Sequence, residues 1–244
     1  MGFLLKKELV YQGKAKELCR TTEENVLHVT YLDQATALNG QRKDQVVGKG
    51  QLNNEITSLI FTYLHQQQVD NHFIQQLSSR EQLVRGVEML PLEVVLRNVA
   101  TGSFVKKFDV VEGTLLPVPI IEFYYKNDLL DDPMMNEGHI LALGLATESQ
   151  ISELYQLTLH LNQVLQELFQ KIGVTLVDFK VEYGVTERGE LLLADEITPD
   201  TCRLWDMKTG TSLDKDVYRK GTGDLLTGYQ EIFQRLQKVI TVKK

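Results

Sequence analysis

From Leu52 the apolar residues Leu52, Ile56, Leu59, Ile60, Tyr63 and Leu64 recur at spacings of three and four, which puts them on one face of a helix beginning near Gly50. Before that point the period is closer to two. "ELVYQGKAKELCR" and "NVLHVTYLD" alternate in part, with a turn signal between them from Thr21 to Asn25, and predict a β-rich start. "EQLVRGVEMLPLEVVLRNVA" returns to strand character, with Pro91 expected to interrupt it, and two strands flanking "VEMLP" would suit a crossover between lobes. A short helix is expected after "TGS", near Ser103, and a strand over "LPVPIIEFYYKND". The capping box Thr147-x-x-Gln150 opens a long helix whose stripe is Ile151, Leu154, Thr158, Leu161, Leu165 and Leu168, closed at Gly173. A hairpin from Val174 to Ile197 follows, then a last helix after Asp224 with Leu226, Tyr229, Phe233 and Leu236 on its apolar face. The order predicts an α+β protein: a β-rich lobe over 1–90 containing one helix, and a larger mixed lobe over 91–244. A small ligand is expected in the cleft between them.

One strand breaks the apolar pattern. In "TLVDFKVEYG" alternate residues point to opposite sides, so Thr175, Val177, Phe179, Val181 and Tyr183 share one face, and Leu176, Asp178, Lys180 and Glu182 the other. If Arg188 and Gly189 form a two-residue turn, Glu182 opposes Asp195 of "ELLLADEI", with Cβ atoms about 5 Å apart. Two carboxylates at that distance repel by roughly 3 kcal/mol at an effective dielectric near 20. A divalent cation reverses the sign, and an all-oxygen pair suits Mg2+ completed by phosphate and water. A three-residue turn would shift this pairing by one. The plain alternative is a solvated outer face, but it leaves Leu191 and Leu193 on the charged side of the second strand.

Composition narrows the classes. Apolar residues make up 43% and charged residues 24% of the 244, an ordinary globular balance. A net charge of −7 argues against a nucleic-acid binder, yet leaves room for a local basic pocket. Cys19 and Cys202 lack CxxC spacing and are expected to be reduced thiols. "MGFLLKKELV" lacks the apolar core of a signal peptide, and Lys6 breaks a myristoylation pattern, so a cytoplasmic protein with no membrane contact is expected. The five histidines form no HExxH pair, and no GxSxG or Cys–His arrangement offers a covalent nucleophile.

Several short segments carry candidate chemistry. In "YQGKAKEL" Gly13 precedes Lys14 and Lys16, which share a strand face with Ala15 behind them. Glycine amides there could cradle phosphate, with two exposed strand lysines as the alternative. "VVGKGQLNN" places Gly48, Lys49 and Gly50 before a helix, read as a glycine turn rather than an anion site. "VVLRNVATGSF" puts Arg97 near a helix that Ser103 is expected to cap, a fit for phosphate or carboxylate. "ITPDTCRLWD" supplies Asp200 and Arg203, with a structural Arg–Asp pair as the alternative, and "LDKDVYRK" supplies Asp214, Lys215, Asp216 and Arg219, by itself a solvated charge run.

Together and in this order, from Tyr11 to Arg219, these segments resemble the phosphoribosylaminoimidazole-succinocarboxamide synthase, or SAICAR synthetase, family. The RN-x-x-x-GS and DE-x-x-PD-x-x-RLWD segments are the most specific. The resemblance implies a two-lobed fold related to protein-kinase and ATP-grasp architecture, with ATP between the lobes. It implies a ligase of purine biosynthesis that joins carboxyaminoimidazole ribonucleotide to L-aspartate with ATP and Mg2+, through an acyl phosphate. Carried over by motif, Gly13, Lys14, Ala15 and Lys16 would hold the ATP phosphates, Val87 to Met89 would meet adenine, and Lys126 would lie near the nucleotide. Glu182 and Asp195 would hold Mg2+ against ATP. Arg97, Ser103, Asp200, Arg203, Lys215 and Arg219 would bind substrate. Asp178 and Lys180 would face the reacting carboxylate, with Asp178 a candidate acceptor for the amine proton. Edge strands of the first lobe would allow a homodimer. A small-molecule kinase on the same scaffold and a non-catalytic ATP-binding module are the rival readings.

Overall fold

The structure, a computed structural model, describes residues 8–37 and 42–240. The N-terminal stretch that includes Lys6 lies outside the described residues. The chain opens with β1 (Glu8–Gln12), β2 (Lys16–Arg20) and β3 (Val26–Tyr31), then a two-stranded ribbon of β4 (Gln34–Ala37) and β5 (Arg42–Gln45). Next come α1 (Lys49–Gln66), β6 (Phe73–Gln76) and β7 (Glu81–Arg85). The first sheet is antiparallel, in the order β1-β2-β3-β7-β6.

The remainder builds a second sheet and its helices. β8 (Glu88–Val99), α2 (Gly102–Phe108), β9 (Leu115–Tyr125), a 3-10 turn (Asp128–Leu130) and β10 (Met134–Met135) lead to α3 (Glu137–Ala142) and α4 (Glu148–Lys171). β11 (Val174–Val185), β12 (Leu191–Ala194), β13 (Cys202–Asp206), α5 (Asp216–Lys220) and α6 (Leu225–Val239) complete it. The strand order is β10-β9-β8-β11-β12, with β13 also pairing with β11.

Pro91 does not interrupt the chain as expected; the break falls at Gly86–Val87, and β8 runs through the proline. β8 steps out of register with β11 between Glu93 and Met89, where no ladder N–H is required of Pro91. The Pro91 carbonyl still accepts from the Lys126 amide at 3.0 Å. The second sheet therefore begins at Glu88, ahead of the division expected at residue 90. Nor does α1 keep to the first lobe. Its Leu52, Ile56, Ile60 and Leu64 join one core with Leu92, Val94 and Leu96 of β8, the α4 stripe, and Leu225, Tyr229, Ile232 and Leu236 of α6. α6 is turned slightly from the expected face, so Leu226 and Phe233 are only partly buried. The Thr147–Gln150 capping box is present, and Gly173 follows α4 at φ 70°.

The charged hairpin forms, in a different register. Glu182 pairs with Ala194 and Tyr183 with Leu193, not Glu182 with Asp195. The Thr186 amide donates to the Glu190 carbonyl at 2.9 Å, which closes a loop of three residues instead of two. A one-residue slip exchanges the two faces of a strand. Leu191 and Leu193 thereby enter the core beside Val181 and Tyr183, which removes the anomaly the shorter turn created. A bulge between Leu176 and Asp178 against β13 likewise turns Leu176 into the core, away from the charged face expected for it.

His72 joins the lobes. Its ring meets the edge of Phe61 with centroids 5.5 Å apart, and its Nε2–H donates to the Asp195 carbonyl at 3.1 Å. Burial, opposed by the Asp195 charge, pulls its pKa from 6.5 down to about 4. The folded chain holds the imidazole neutral, while the unfolded chain protonates it from about pH 6.5. Stability is therefore full above that pH and falls as acid takes the protein toward pH 4, by up to about 3 kcal/mol. Denaturant midpoints at neutral pH and near pH 5 should show a smaller drop for His72→Gln than for the parent; equal drops would contradict this.

Candidate active site

Alternation on two neighbouring strands builds the site. β8 lies beside β11 so that Arg97 pairs with Asp178, Val95 with Lys180 and Glu93 with Glu182. Leu92, Val94 and Leu96 go to the core, while Glu93, Val95 and Arg97 face a cleft of about 1350 Å³ lined from both sheets. Gly13, Lys14, Ala15, Lys16, Val87, Met89, Arg97, Ser103, Lys126, Asp178, Lys180, Glu182, Asp195, Asp200, Arg203, Lys215 and Arg219 all line it.

One end is a set of guanidiniums. Arg97, nearly fully buried, donates from Nε to Glu122 Oε2 at 2.9 Å, from Nη1 to Asp178 Oδ2 at 2.9 Å and from Nη2 to Ser103 Oγ at 3.1 Å. Arg203 donates from Nη1 to the same Asp178 oxygen at 2.7 Å and from Nε to Asp216 at 3.0 Å. Burial works against the Arg203 charge, but Asp178 and Asp216 outweigh it and raise its pKa. Arg219 holds the other oxygen of Asp216 at 2.5 Å. Ser103 is not the helix cap that the sequence suggested. Thr101 stands at the cap, without a side-chain cap bond, and Ser103 lies in the first turn, where its hydroxyl is free to accept from Arg97. Gly102 between them has φ 59°, and a Cβ there would lie 2.7 Å from Arg203 Nη2.

The other end alternates lysines and carboxylates. Lys16 from β2 lies between Asp195 Oδ1 at 2.6 Å and Glu196 Oε1 at 3.2 Å, with its ammonium 5.4 Å from the Tyr31 ring centre. Lys126 bonds Glu182, Lys180 bonds Glu93, and Lys14 reaches Asp128 at 2.7 Å. Asp195 has left the strand: its φ of 61° is left-handed, beyond the end of β12. Its charge still acts on Glu182. Burial first and Asp195 second push the Glu182 pKa up, against Lys126 and Lys180. Burial would raise Asp195 too, but Lys16, Lys126 and Lys180 hold it well below the usual carboxylate range. Burial opposes the charge of Lys180, yet Glu93 and Glu182 push its pKa up to about 12.

These donors suit a small hard cation in part. Among the described residues no group of three or more His, Cys, Asp or Glu side chains could hold a metal. Glu182 and Asp195 supply two carboxylates, so any Mg2+ there needs further oxygens from a phosphate and water.

Asp200 also lines the cleft. Oδ2 accepts from Lys49 and, at 2.9 Å, from Asn53; Oδ1 accepts from Tyr229, and Lys215 Nζ lies 3.5 Å away. Lys49, read as part of a glycine turn, is instead fully buried on this carboxylate. Lys49 and the acids Glu93, Glu122, Asp128, Glu196 and Asp216 are the site residues that the sequence reading missed. Glu93 carried a signal in the alternation Glu93–Val95–Arg97, Glu196 stood in the DE-x-x-PD-x-x-RLWD segment and Asp216 in a charge run; none showed its partner, and the others are brought in by tertiary packing.

The SAICAR synthetase family model matches residues 9–236. The phosphoribosylaminoimidazole-succinocarboxamide synthase of Enterococcus faecalis is 59% identical over 231 residues, spanning 95% of this chain and 98% of its own. That of Bacillus subtilis is 51% identical over 233 residues, spanning 96% and 97%. Among solved structures, the enzyme of that name from Ehrlichia chaffeensis superposes with TM-score 0.92 at 44% identity, covering 95% of this chain and 99% of its own. A SAICAR synthetase in complex with ADP superposes with TM-score 0.91 at 42% identity, covering 96% and 99%.

Proposed function

The chain belongs to the SAICAR synthetase family, and from that premise we infer that it is an ATP-dependent ligase of purine biosynthesis. It joins the carboxylate of carboxyaminoimidazole ribonucleotide to the amine of L-aspartate, and ATP becomes ADP and phosphate. The observation that carries this reading is the two-ended cleft. A triphosphate binder needs only the lysine–carboxylate end; the converging Arg97, Ser103 and Arg203 supply a second anion site for a sugar phosphate. The rivals separate in one assay. The ligase turns over ATP continuously only when aspartate is present with the nucleotide acid. Sustained ADP release well beyond one equivalent per enzyme without aspartate would mean a kinase, and bound ATP without ADP a binding module.

The Gly13–Ala15 backbone with Lys14 and Lys16 takes the triphosphate, Val87 and Met89 border adenine, and Lys126 reaches the phosphates. The first sheet, through Arg85, serves as the nucleotide lobe, and the second sheet with its helices, from Glu88, as the metal and substrate lobe. A carboxylate resists attack because its charge repels an amine and resonance stabilises it. Phosphoryl transfer turns it into an acyl phosphate with a good leaving group, and the cost of bringing two anions together falls to the surrounding cations. Lys16, Lys126 and Lys180 stand there, each now neutralised by a carboxylate that a phosphate can replace. Glu182 and Asp195 would hold Mg2+, which would supply charge neutralisation for phosphoryl transfer. Arg97, Ser103 and Arg203 fix the ribonucleotide phosphate, Asp178 orients both arginines, and Lys180 meets the reacting carboxylate.

Gly102→Ala should raise KM for the nucleotide about tenfold with little change in kcat, because the new methyl displaces Arg203. An unchanged KM would contradict the assignment of Arg203. A cytoplasmic setting and the absence of nucleic-acid partners fit the net charge of −7, and among the described residues no helix is long and apolar enough to cross a membrane. Leu9, Val10 and Tyr11 of the edge strand β1 are exposed, which supports pairing of two copies there. Leu9→Lys should then shift the sedimentation coefficient toward the monomer.

A further inference from the structure

We propose that Lys215 is the base that takes the proton from the incoming aspartate ammonium, and that Asp200, Lys49 and Tyr229 are the residues that prepare it. This rests on the acyl-phosphate reading above, which requires the amine to arrive neutral.

The placement comes from one short loop. The Lys215 amide donates to the Pro199 carbonyl at 3.0 Å, and the Lys180 amide donates to the Thr201 carbonyl at 2.8 Å. The loop around Asp200 thus joins the backbone of Lys215 to that of the lysine assigned to the reacting carboxylate. Both side chains line the cleft. Asp200 gives Lys215 its environment. Its charge is already matched by Lys49, whose side chain is 0% exposed and bonds Oδ2 directly. Tyr229 takes Oδ1, so Lys215, at 3.5 Å, is a second and looser ammonium on a carboxylate that has a first. Where two ammoniums share one carboxylate, each disfavours the other's charge, and the one held less closely gains less from the carboxylate and sheds its proton more readily.

The surrounding charges agree. Burial, then Lys49 and Arg219, disfavour the Lys215 ammonium, while Asp200 and Glu196 favour it; the balance lies below the ordinary lysine value. Glu196 is drawn away by Lys16 at 3.2 Å. The other candidates are committed elsewhere. Lys16, Lys126 and Lys180 all hold their protons more tightly than a free lysine. Asp178, the acceptor suggested by sequence, has both Arg97 and Arg203 on one oxygen.

The step balances. The Lys215 Nζ lone pair takes one proton from the aspartate ammonium and becomes an ammonium. The freed amine pair bonds to the acyl carbon, the carbon–oxygen bond to phosphate breaks, and the phosphate leaves with that electron pair. The proton remaining from the new nitrogen–carbon bond goes to the departing phosphate, and Lys215 later returns its own to water.

Lys215→Arg keeps the cation but accepts no proton near neutral pH. With aspartate its kcat should fall about 10²- to 10⁴-fold, while the KM for aspartate stays within about threefold. Hydroxylamine, uncharged near neutral pH, needs no base and should yield the hydroxamate at the parental rate in both proteins. A structural or merely electrostatic role would slow both nucleophiles alike. The proposal is overturned if Lys215→Arg keeps its aspartate kcat within about tenfold, or loses the hydroxylamine reaction in the same proportion. Should the parent itself form no hydroxamate, the acyl-phosphate reading fails, and the aspartate kcat of Lys215→Arg still decides the base. Tyr229→Phe keeps the buried ring and frees Asp200 Oδ1 for Lys215, so the acid limb of the kcat profile should move up by roughly half a pH unit. A limb that stays in place would remove Asp200 and Tyr229 from the proposal.

Discussion

Asp195→Asn lowers kcat for the complete reaction about 10³-fold while the protein stays folded. Asparagine tolerates the left-handed backbone that Asp195 adopts at φ 61°, so the change removes charge without forcing the turn to rebuild. Lys16 keeps Glu196 as a partner at 3.2 Å. The lost charge is one of the two carboxylates proposed to hold Mg2+, and a single carboxylate would hold a divalent cation weakly. Raising magnesium should restore part of the rate. Activity within about tenfold of the parent at ordinary magnesium would show that the cation sits elsewhere.

Arg97→Met has the largest expected effect on stability. The guanidinium is buried between Glu122 and Asp178. After its removal Glu122 retains the Tyr124 hydroxyl at 2.9 Å, and Asp178 retains Arg203 at 2.7 Å. Breaking a buried ion pair from one side costs about 3–5 kcal/mol, because the remaining charge is left uncompensated. For a chain of this size that is a fall of about 10 °C in Tm. KM for the nucleotide should rise at least about tenfold as one phosphate contact is lost. Arg97→Lys should recover part of the stability and little of the KM, since an ammonium cannot span Glu122, Asp178 and Ser103 together. A Tm within about 2 °C of the parent would contradict the buried-pair account.

Periodicity made the long elements legible. The α4 stripe and its capping box follow from local pattern alone, and so does the charged face of β11 from Asp178 to Glu182. Register was not legible. It turned on whether the hairpin loop held two residues or three, a choice made by the Thr186–Glu190 bond and by the burial of Leu191 and Leu193. Lys14 and Lys16 were readable beside Gly13, Lys180 from the charged face of β11, and Arg97 from its place before a helix start, whereas the roles of Lys126, Arg203, Lys215 and Arg219 came with the family's segments. Their carboxylate partners were not legible. Asp128 lies 114 residues from Lys14, and Asp195 lies 179 from Lys16; only the packing of one sheet over the other joins such pairs. Lys49 was misread for the same reason. Its neighbours Gly48 and Gly50 suggest a turn, and its partner Asp200 is 151 residues away. Short elements such as the β4–β5 ribbon, α3 and α5 are too brief to show a period.

The central claim is that this cleft activates the nucleotide's carboxylate by phosphorylating it before the amine arrives. Oxygen-18 placed in that carboxylate tests it in one turnover. The account predicts one labelled oxygen in the released phosphate, carried across when the acyl–oxygen bond breaks. Phosphate free of label, from a reaction that still consumed aspartate and ATP, would contradict it.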